Sequence, residues 1–214
     1  MTPLTLEGHQ GASVEIDMCG SCRAIWFDRY ESLQLSAASV LKLFSLMADH
    51  GTASPPHEAP ACPRCAAPLL LTHDRQHNTP FQYWRCDREH GRFITYMDFL
   101  REKDFIKPLS PQQISELQQH VETVNCGNCG GPIDLARGSI CPHCGSPLSL
   151  LDFPHMEATL AKFHGGELAD RSKAPEPSAT RSPLPPFDAA ALARGGVTVD
   201  EDLKRFLKWL QSRP

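Results

Sequence analysis

Aromatic side chains make up only 7% of this chain of 214 residues, too few for one deep core, and 19 prolines interrupt any long regular element. No apolar run reaches the length of about 18 residues that a membrane helix needs, and no charged-then-apolar leader opens the sequence. The expectation is therefore a soluble, cytoplasmic protein. Neither sign of charge dominates: 21 Lys and Arg stand against 25 Asp and Glu, a formal net charge of −4, which gives no global pull toward nucleic acid. There is no Gly-rich phosphate loop, no Gly-x-Ser-x-Gly elbow and no His-Glu-x-x-His. These gaps leave no common catalytic signature to follow.

Cysteine, by contrast, is abundant. Of nine, eight form Cys-x-x-Cys pairs: Cys19/Cys22, Cys62/Cys65, Cys126/Cys129 and Cys141/Cys144, with Cys86 alone. An odd count cannot close as a complete disulfide framework, and clustered cysteines in a reducing cytosol bind metal. Cys126-x2-Cys129-x11-Cys141-x2-Cys144 places two pairs one short hairpin apart, the spacing of a four-thiolate Zn2+ site. Gly130 and Gly145 follow its two pairs and allow the positive-φ turn that points backbone N–H groups at the sulfurs. Cys62-x2-Cys65-x20-Cys86-x3-His90 offers three thiolates and an imidazole, a second Zn2+ site; His73 and His77 are alternative fourth ligands.

Cys19/Cys22 has no second pair at hairpin distance. Four readings stay open: a metal site completed by His9 and a further group such as Asp17 or His50, a site completed by a second chain, a metal-free redox-active pair, or a metal-free hairpin held by Trp26 and Phe27.

An internal repeat orders these pairs. Cys65-Ala-Ala-Pro68, Cys129-Gly-Gly-Pro132 and Cys144-Gly-Ser-Pro147 each lead into an apolar strand, and Met1-Thr-Pro3-Leu-Thr-Leu joins the pattern from its proline onward, so the first repeat is expected to lack its leading pair. Helices are expected between strands. Ser36 caps one carrying Val40, Leu43, Phe44 and Met47 and ending at Gly51, and Ser110-Pro-Gln-Gln113 is a capping box opening one with Ile114, Leu117, Val121 and Val124 inward. A third follows Asp152, with Met156, Leu160 and Phe163 as its stripe.

The fold class read from this pattern is α+β: small metal-stabilised modules, tandem zinc ribbons of β-hairpins joined by short helices. The divisions are 1–50, a ribbon module plus helix; 51–61, a linker; 62–109, the ribbon of three cysteines and one histidine; 110–164, a helix, the four-cysteine ribbon and a further helix; 165–196, a disordered linker; and 197–214, an amphipathic helix. That last helix has the box Thr198 and Glu201 and the stripe Leu203, Phe206, Leu207 and Leu210. It needs a surface to cover: the chain itself, a second copy, a protein partner or a membrane.

Within Cys19-Gly-Ser-Cys22-Arg-Ala-Ile-Trp26-Phe27-Asp28-Arg-Tyr-Glu31, the residues Trp26, Asp28 and Glu31 resemble the second half of the transcription-factor-IIB-type zinc-ribbon repeat, with Ala24, Phe27 and Tyr30 replacing its Gly, Leu and Gly. The order of motifs is similar to that of uncharacterised bacterial multi-zinc-ribbon proteins. The resemblance implies a bacterial cytosolic zinc protein and names a fold rather than an activity.

Two closed metal sites point to a non-enzymatic adaptor that binds a protein partner or itself, with a possible role in transcription and no small-molecule substrate. The alternatives are nucleic-acid binding by the middle module and thiol redox chemistry at Cys19/Cys22. In the middle module Arg85, Arg88, Arg92 and Lys103 interleave with Tyr83, Trp84, Phe93 and Tyr96. Against nucleic-acid binding, Asp87, Glu89, Asp98, Glu102 and Asp104 stand among the same bases.

Overall fold

A computed structural model describes residues 1–48, 60–77, 79–152, 156, 188–193, 205 and 208. Alternation of apolar and polar residues builds the first strands: β1 (Thr2–Glu7) turns Leu4 and Leu6 inward, and β2 (Ser13–Cys19) turns Val14, Ile16 and Met18 the same way. β3 (Ala24–Asp28) buries side chains on both faces. The chain then passes through α1 (Glu31–Gln34) into α2 (Ala37–Ala48), where Ser36 Oγ accepts the Ser39 N–H at 3.2 Å as the expected cap.

β4 (Leu70–Gln76), β5 (Thr79–Arg85) and β6 (Gly91–Thr95) supply the second set of strands. They do not stand apart from the first. β6 pairs antiparallel with β3, from Ala24↔Thr95 to Asp28↔Gly91, so all six strands form one sheet in the order β1-β2-β3-β6-β5-β4. A continuous sheet thus crosses the division expected between 1–50 and 62–109. The residue that permits the pairing is Gly91, where any Cβ would collide with the Phe27 carbonyl and crowd the Trp26 ring.

The inner face of the sheet carries the main core. Ile25, Phe27 and Ile94 meet Leu43, Phe44 and Met47 of α2 and Tyr96, Phe99 and Leu100 of α3 (Tyr96–Glu102). α3 was not legible as an amphipathic helix because it is buried on nearly every side; its signal was the cap Thr95, whose Oγ1 accepts the Asp98 N–H at 3.2 Å.

The remainder is built from shorter pieces. β7 (Ile106–Pro108) pairs with β10 (Ser149–Leu151), and β8 (Thr123–Asn125) pairs with β9 (Pro132–Asp134). α4 (Pro111–Gln118) opens with the full Ser110/Gln113 capping box. It ends before Val121 and Val124, and Val124 instead faces Ile133 across β8–β9.

Five residues inside the expected disordered linker form α5 (Ala189–Ala193), and Ala189 is buried in the cluster that holds Leu117 of α4. The alanine-rich run is a strong helix former and needs little space to pack, which the Pro and Ser content around it obscured. Of the expected helix after Asp152 only Met156 is described, and it is fully buried in the main core. Of the expected C-terminal helix only Arg205 and Lys208 fall within the described residues.

Candidate metal centres

Three Cys-x-x-Cys turns share one backbone device. The first cysteine's N–H reaches the carbonyl five residues on, from Cys62 to Ala67 at 2.8 Å, Cys126 to Gly131 at 2.8 Å and Cys141 to Ser146 at 2.9 Å. Its own carbonyl accepts the N–H four residues on, from Ala66, Gly130 and Gly145. Those three residues adopt φ of 58°, 72° and 70°, the left-handed region that glycine enters freely and alanine enters at a cost. Each turn holds two sulfurs on one side of a tight loop.

Cys62 and Cys65 close over β5–β6, which brings up Cys86 and His90. All four ligand atoms lie within 4.8 Å of one another. Cys65 and Cys86 sulfurs are 3.7 Å apart, and His90 Nδ1 lies 3.7 Å from Cys62 Sγ and 3.6 Å from Cys86 Sγ. A tetrahedral ion with the bond lengths of zinc requires edges of about 3.8 Å between sulfurs and about 3.6 Å from sulfur to nitrogen. The side chains fit such an ion through Nδ1 of His90. His73 and His77, on β4 and in the turn after it, are not in this group.

The turn also clamps the sheet. Arg64, between the two cysteines, donates to both carboxylate oxygens of Asp28, from Nε at 3.2 Å and from Nη2. Trp26 Nε1 donates to Asp28 at 2.7 Å, and the Asp28 N–H donates to Glu31 at 2.6 Å. Burial opposes ionisation of Asp28, yet the hydrogen bonds from Arg64 and Trp26 hold its carboxyl below the ordinary carboxylate range. Trp26, Asp28 and Glu31 thus serve as hairpin and helix-start groups.

The second group is Cys126, Cys129, Cys141 and Cys144, again all within 4.8 Å, with opposed pairs Cys126–Cys144 and Cys129–Cys141 each at 3.6 Å. Cys126 and Cys141 are buried, and the other two are half-buried. Hydrogen bonding with Cys126 lowers the Cys144 thiol to about 4, with Ser146 and Asn128 adding to that effect and burial opposing it. The same bond and burial push Cys126 up, and burial raises Cys129 to about 11. Cys144 is therefore the sulfur of this group most favoured as thiolate, with Cys126 as its hydrogen-bonding partner.

Behind this group runs a buried polar chain that sequence reading missed. Asn128 Nδ2 donates to Cys144 Sγ at 3.6 Å and to Ser146 Oγ at 3.0 Å. Arg101 continues it, donating to Ser146 Oγ at 3.5 Å and the Pro147 carbonyl at 3.4 Å, and pairing with Asp98 at 3.0 Å. Asp98 in turn accepts from the Thr95 hydroxyl at 2.7 Å and the Gln82 N–H at 3.3 Å. The sulfur site is thereby tied to the six-stranded sheet through groups almost wholly withdrawn from water.

Comparison with protein-family models, with curated proteins and with solved structures returned no match. Function must be read from the centres themselves.

Cys19 and Cys22 occupy the turn between β2 and β3, half-buried. His9, expected to complete a site with them, lies in the β1–β2 turn at the opposite end of β2, about 20 Å away along six residues of strand. His50 is outside the described residues. Despite burial, the Ser21 hydroxyl and the Cys22 N–H lower the Cys19 thiol, while burial and its neighbour raise Cys22.

The expected nucleic-acid contacts divide. Arg92 and Lys103 are both committed to Glu102, at 2.8 and 3.2 Å, whereas Arg85 and Arg88 are exposed. Two of the four bases are thus neutralised locally.

Proposed function

We propose that this is a non-catalytic zinc protein of tandem ribbons, an adaptor whose two metal centres hold surfaces for a protein partner. The observation that carries the reading is that each group presents four protein ligands at tetrahedral spacing, which leaves no coordination position for water or substrate. Zinc suits a set of seven thiolates and one imidazole, all soft or borderline ligands. The repeat of Cys-x-x-Cys turns and the motif Trp26-x-Asp28-x-x-Glu31 support the ribbon assignment and, by analogy with transcription-factor-IIB-type ribbons, a place beside the transcription machinery of a bacterial cytosol. Among the described residues, exposed Tyr30, Leu33, Leu70, Leu71 and Ile140 offer apolar side chains to such a partner. Glu102 stands against the nucleic-acid alternative, since it occupies Arg92 and Lys103.

Native mass spectrometry of the reduced full-length chain tests this reading. Two zinc ions per chain are expected, and chelation is expected to remove both and to unfold 109–151. Iron–sulfur mass, or a chain that keeps its full fold without metal, would refute it.

A further inference from the structure

Cys19/Cys22 is the one Cys-x-x-Cys pair among the described residues that does not belong to a four-ligand group. In the two centres each pair faces an opposing pair of ligand atoms 3.6–3.7 Å away. Here the turn faces no described His, Cys, Asp or Glu set that would close a site, and its own donors converge instead on one sulfur. The Ser21 hydroxyl lies 3.3 Å from Cys19 Sγ, and the Cys22 N–H donates to the same sulfur at 3.4 Å. Cys22 is placed differently: it packs, half-buried, against the outer-face cluster of Ala24, Trp26, Leu69 and Phe93 that also holds the ligands Cys62 and Cys86, without being one of that four-ligand group. The N–H contact sets the backbone of Cys22 directly beside the Cys19 sulfur. The Arg23 N–H closes the turn onto the Gly20 carbonyl at 3.3 Å, and Cys19 is paired across the strands with Ala24. The two cysteines thus belong to one tight turn at the β2–β3 hairpin, where their sulfurs can meet.

We propose that Cys19 and Cys22 form a reversible dithiol–disulfide couple that exchanges with small-molecule disulfides of the glutathione type. Cys19 is the attacking sulfur, because its charge is met by two donors. Its thiolate attacks one sulfur of glutathione disulfide; the glutathione S–S bond breaks, one glutathione thiolate leaves, and a mixed disulfide forms on Cys19. Cys22 gives its proton to solvent and its sulfur attacks Cys19, so that the mixed disulfide breaks and the second glutathione leaves as thiolate. Two electrons pass from the pair to glutathione disulfide. The reverse sequence, with two glutathione thiols as reductant, restores the dithiol. This couple is separate from the adaptor reading, and its turn belongs to neither metal centre.

The test uses the metal-loaded full-length chain, equilibrated in a series of glutathione and glutathione-disulfide mixtures, quenched with an alkylating reagent and mapped by peptide mass. The first disulfide to form is expected to join Cys19 to Cys22, with metal content unchanged. Cys22→Ser is expected to gather a glutathione adduct on Cys19 at least about tenfold faster than Cys19→Ser gathers one on Cys22. Two results would overturn the proposal: a Cys19/Cys22 pair still reduced when cysteines of the metal centres begin to oxidise, or an additional metal ion per chain that shields the pair from alkylation. Equal adduct rates in the two variants would remove Cys19 as the attacking sulfur. The map of the unsubstituted chain is decisive even if a variant folds poorly.

Discussion

The two metal centres have nearly the same ligand geometry and sit in very different surroundings. Cys62, Cys65, Cys86 and His90 fasten the outer face of a six-stranded sheet whose inner face already buries Phe27, Phe44, Phe99 and Ile94. Cys126, Cys129, Cys141 and Cys144 sit among strands of three residues and a smaller cluster whose buried apolar residues, among those described, are Leu109, Leu117, Ile133, Leu135 and Ala189. An ion in the first group would fasten a core that exists without it. One in the second would take the place of a core. Equal coordination would then do unequal energetic work.

Removing the ions should give the largest separation between the two. Cys126→Ser is expected to unfold 109–151 outright, a loss on the order of 10 kcal/mol for that region, while amide protection in β1, β2 and β3 persists. His90→Ala should loosen only the turns at 62–69 and 86–91. Hydrogen exchange read by peptide resolves both, and equal global loss from the two substitutions would break the comparison.

Next in size is the polar chain that ties the four-cysteine group to the sheet. Arg101→Met leaves Asp98 buried without its partner and should cost about 3–5 kcal/mol by denaturant unfolding. Adding Asp98→Leu should recover part of that loss, because no unpaired charge then remains; a purely additive double variant would show that the pair is not coupled. Gly91→Ala should cost about 2 kcal/mol or more, since the new methyl meets the Phe27 carbonyl, with the effect confined to the sheet side of the comparison. Smallest is the turn residue itself. Ala66→Gly should stabilise the first centre by about 0.5–1 kcal/mol, and Gly130→Ala should destabilise the second by a similar amount. Thermal unfolding of the metal-loaded proteins gives both signs.

Local chemistry was legible in the sequence. The eight ligands of the two groups follow from spacing, and the caps Ser36 and Ser110 mark α2 and α4. Long-range pairing was not: nothing in Ala24–Asp28 or Gly91–Thr95 names the other strand as its neighbour, and two-sided burial of β3 reads equally as a short apolar run of any kind. Asp98 stands in the sequence as one of several acids among the bases of the middle module, and its buried pairing with Arg101 is not legible there, because burial of an ion pair depends on what packs over it. His9 is one candidate the sequence offers for completing a site at Cys19/Cys22, and the hairpin carries it to the far end of β2.

The β3–β6 pairing has a consequence for a chain being made from its N-terminus. Ala24, Ile25, Trp26 and Phe27 form a strand edge of the most buried kind, and its partner is synthesised roughly sixty residues later, a delay of about 3–12 s at ordinary elongation rates. During that interval β1–β2–β3 is a three-stranded meander with an open apolar edge, the state in which a nascent chain is most prone to pair with a neighbour on the same message. Slower translation between codons 28 and 95 is therefore expected to lengthen the exposure of that edge.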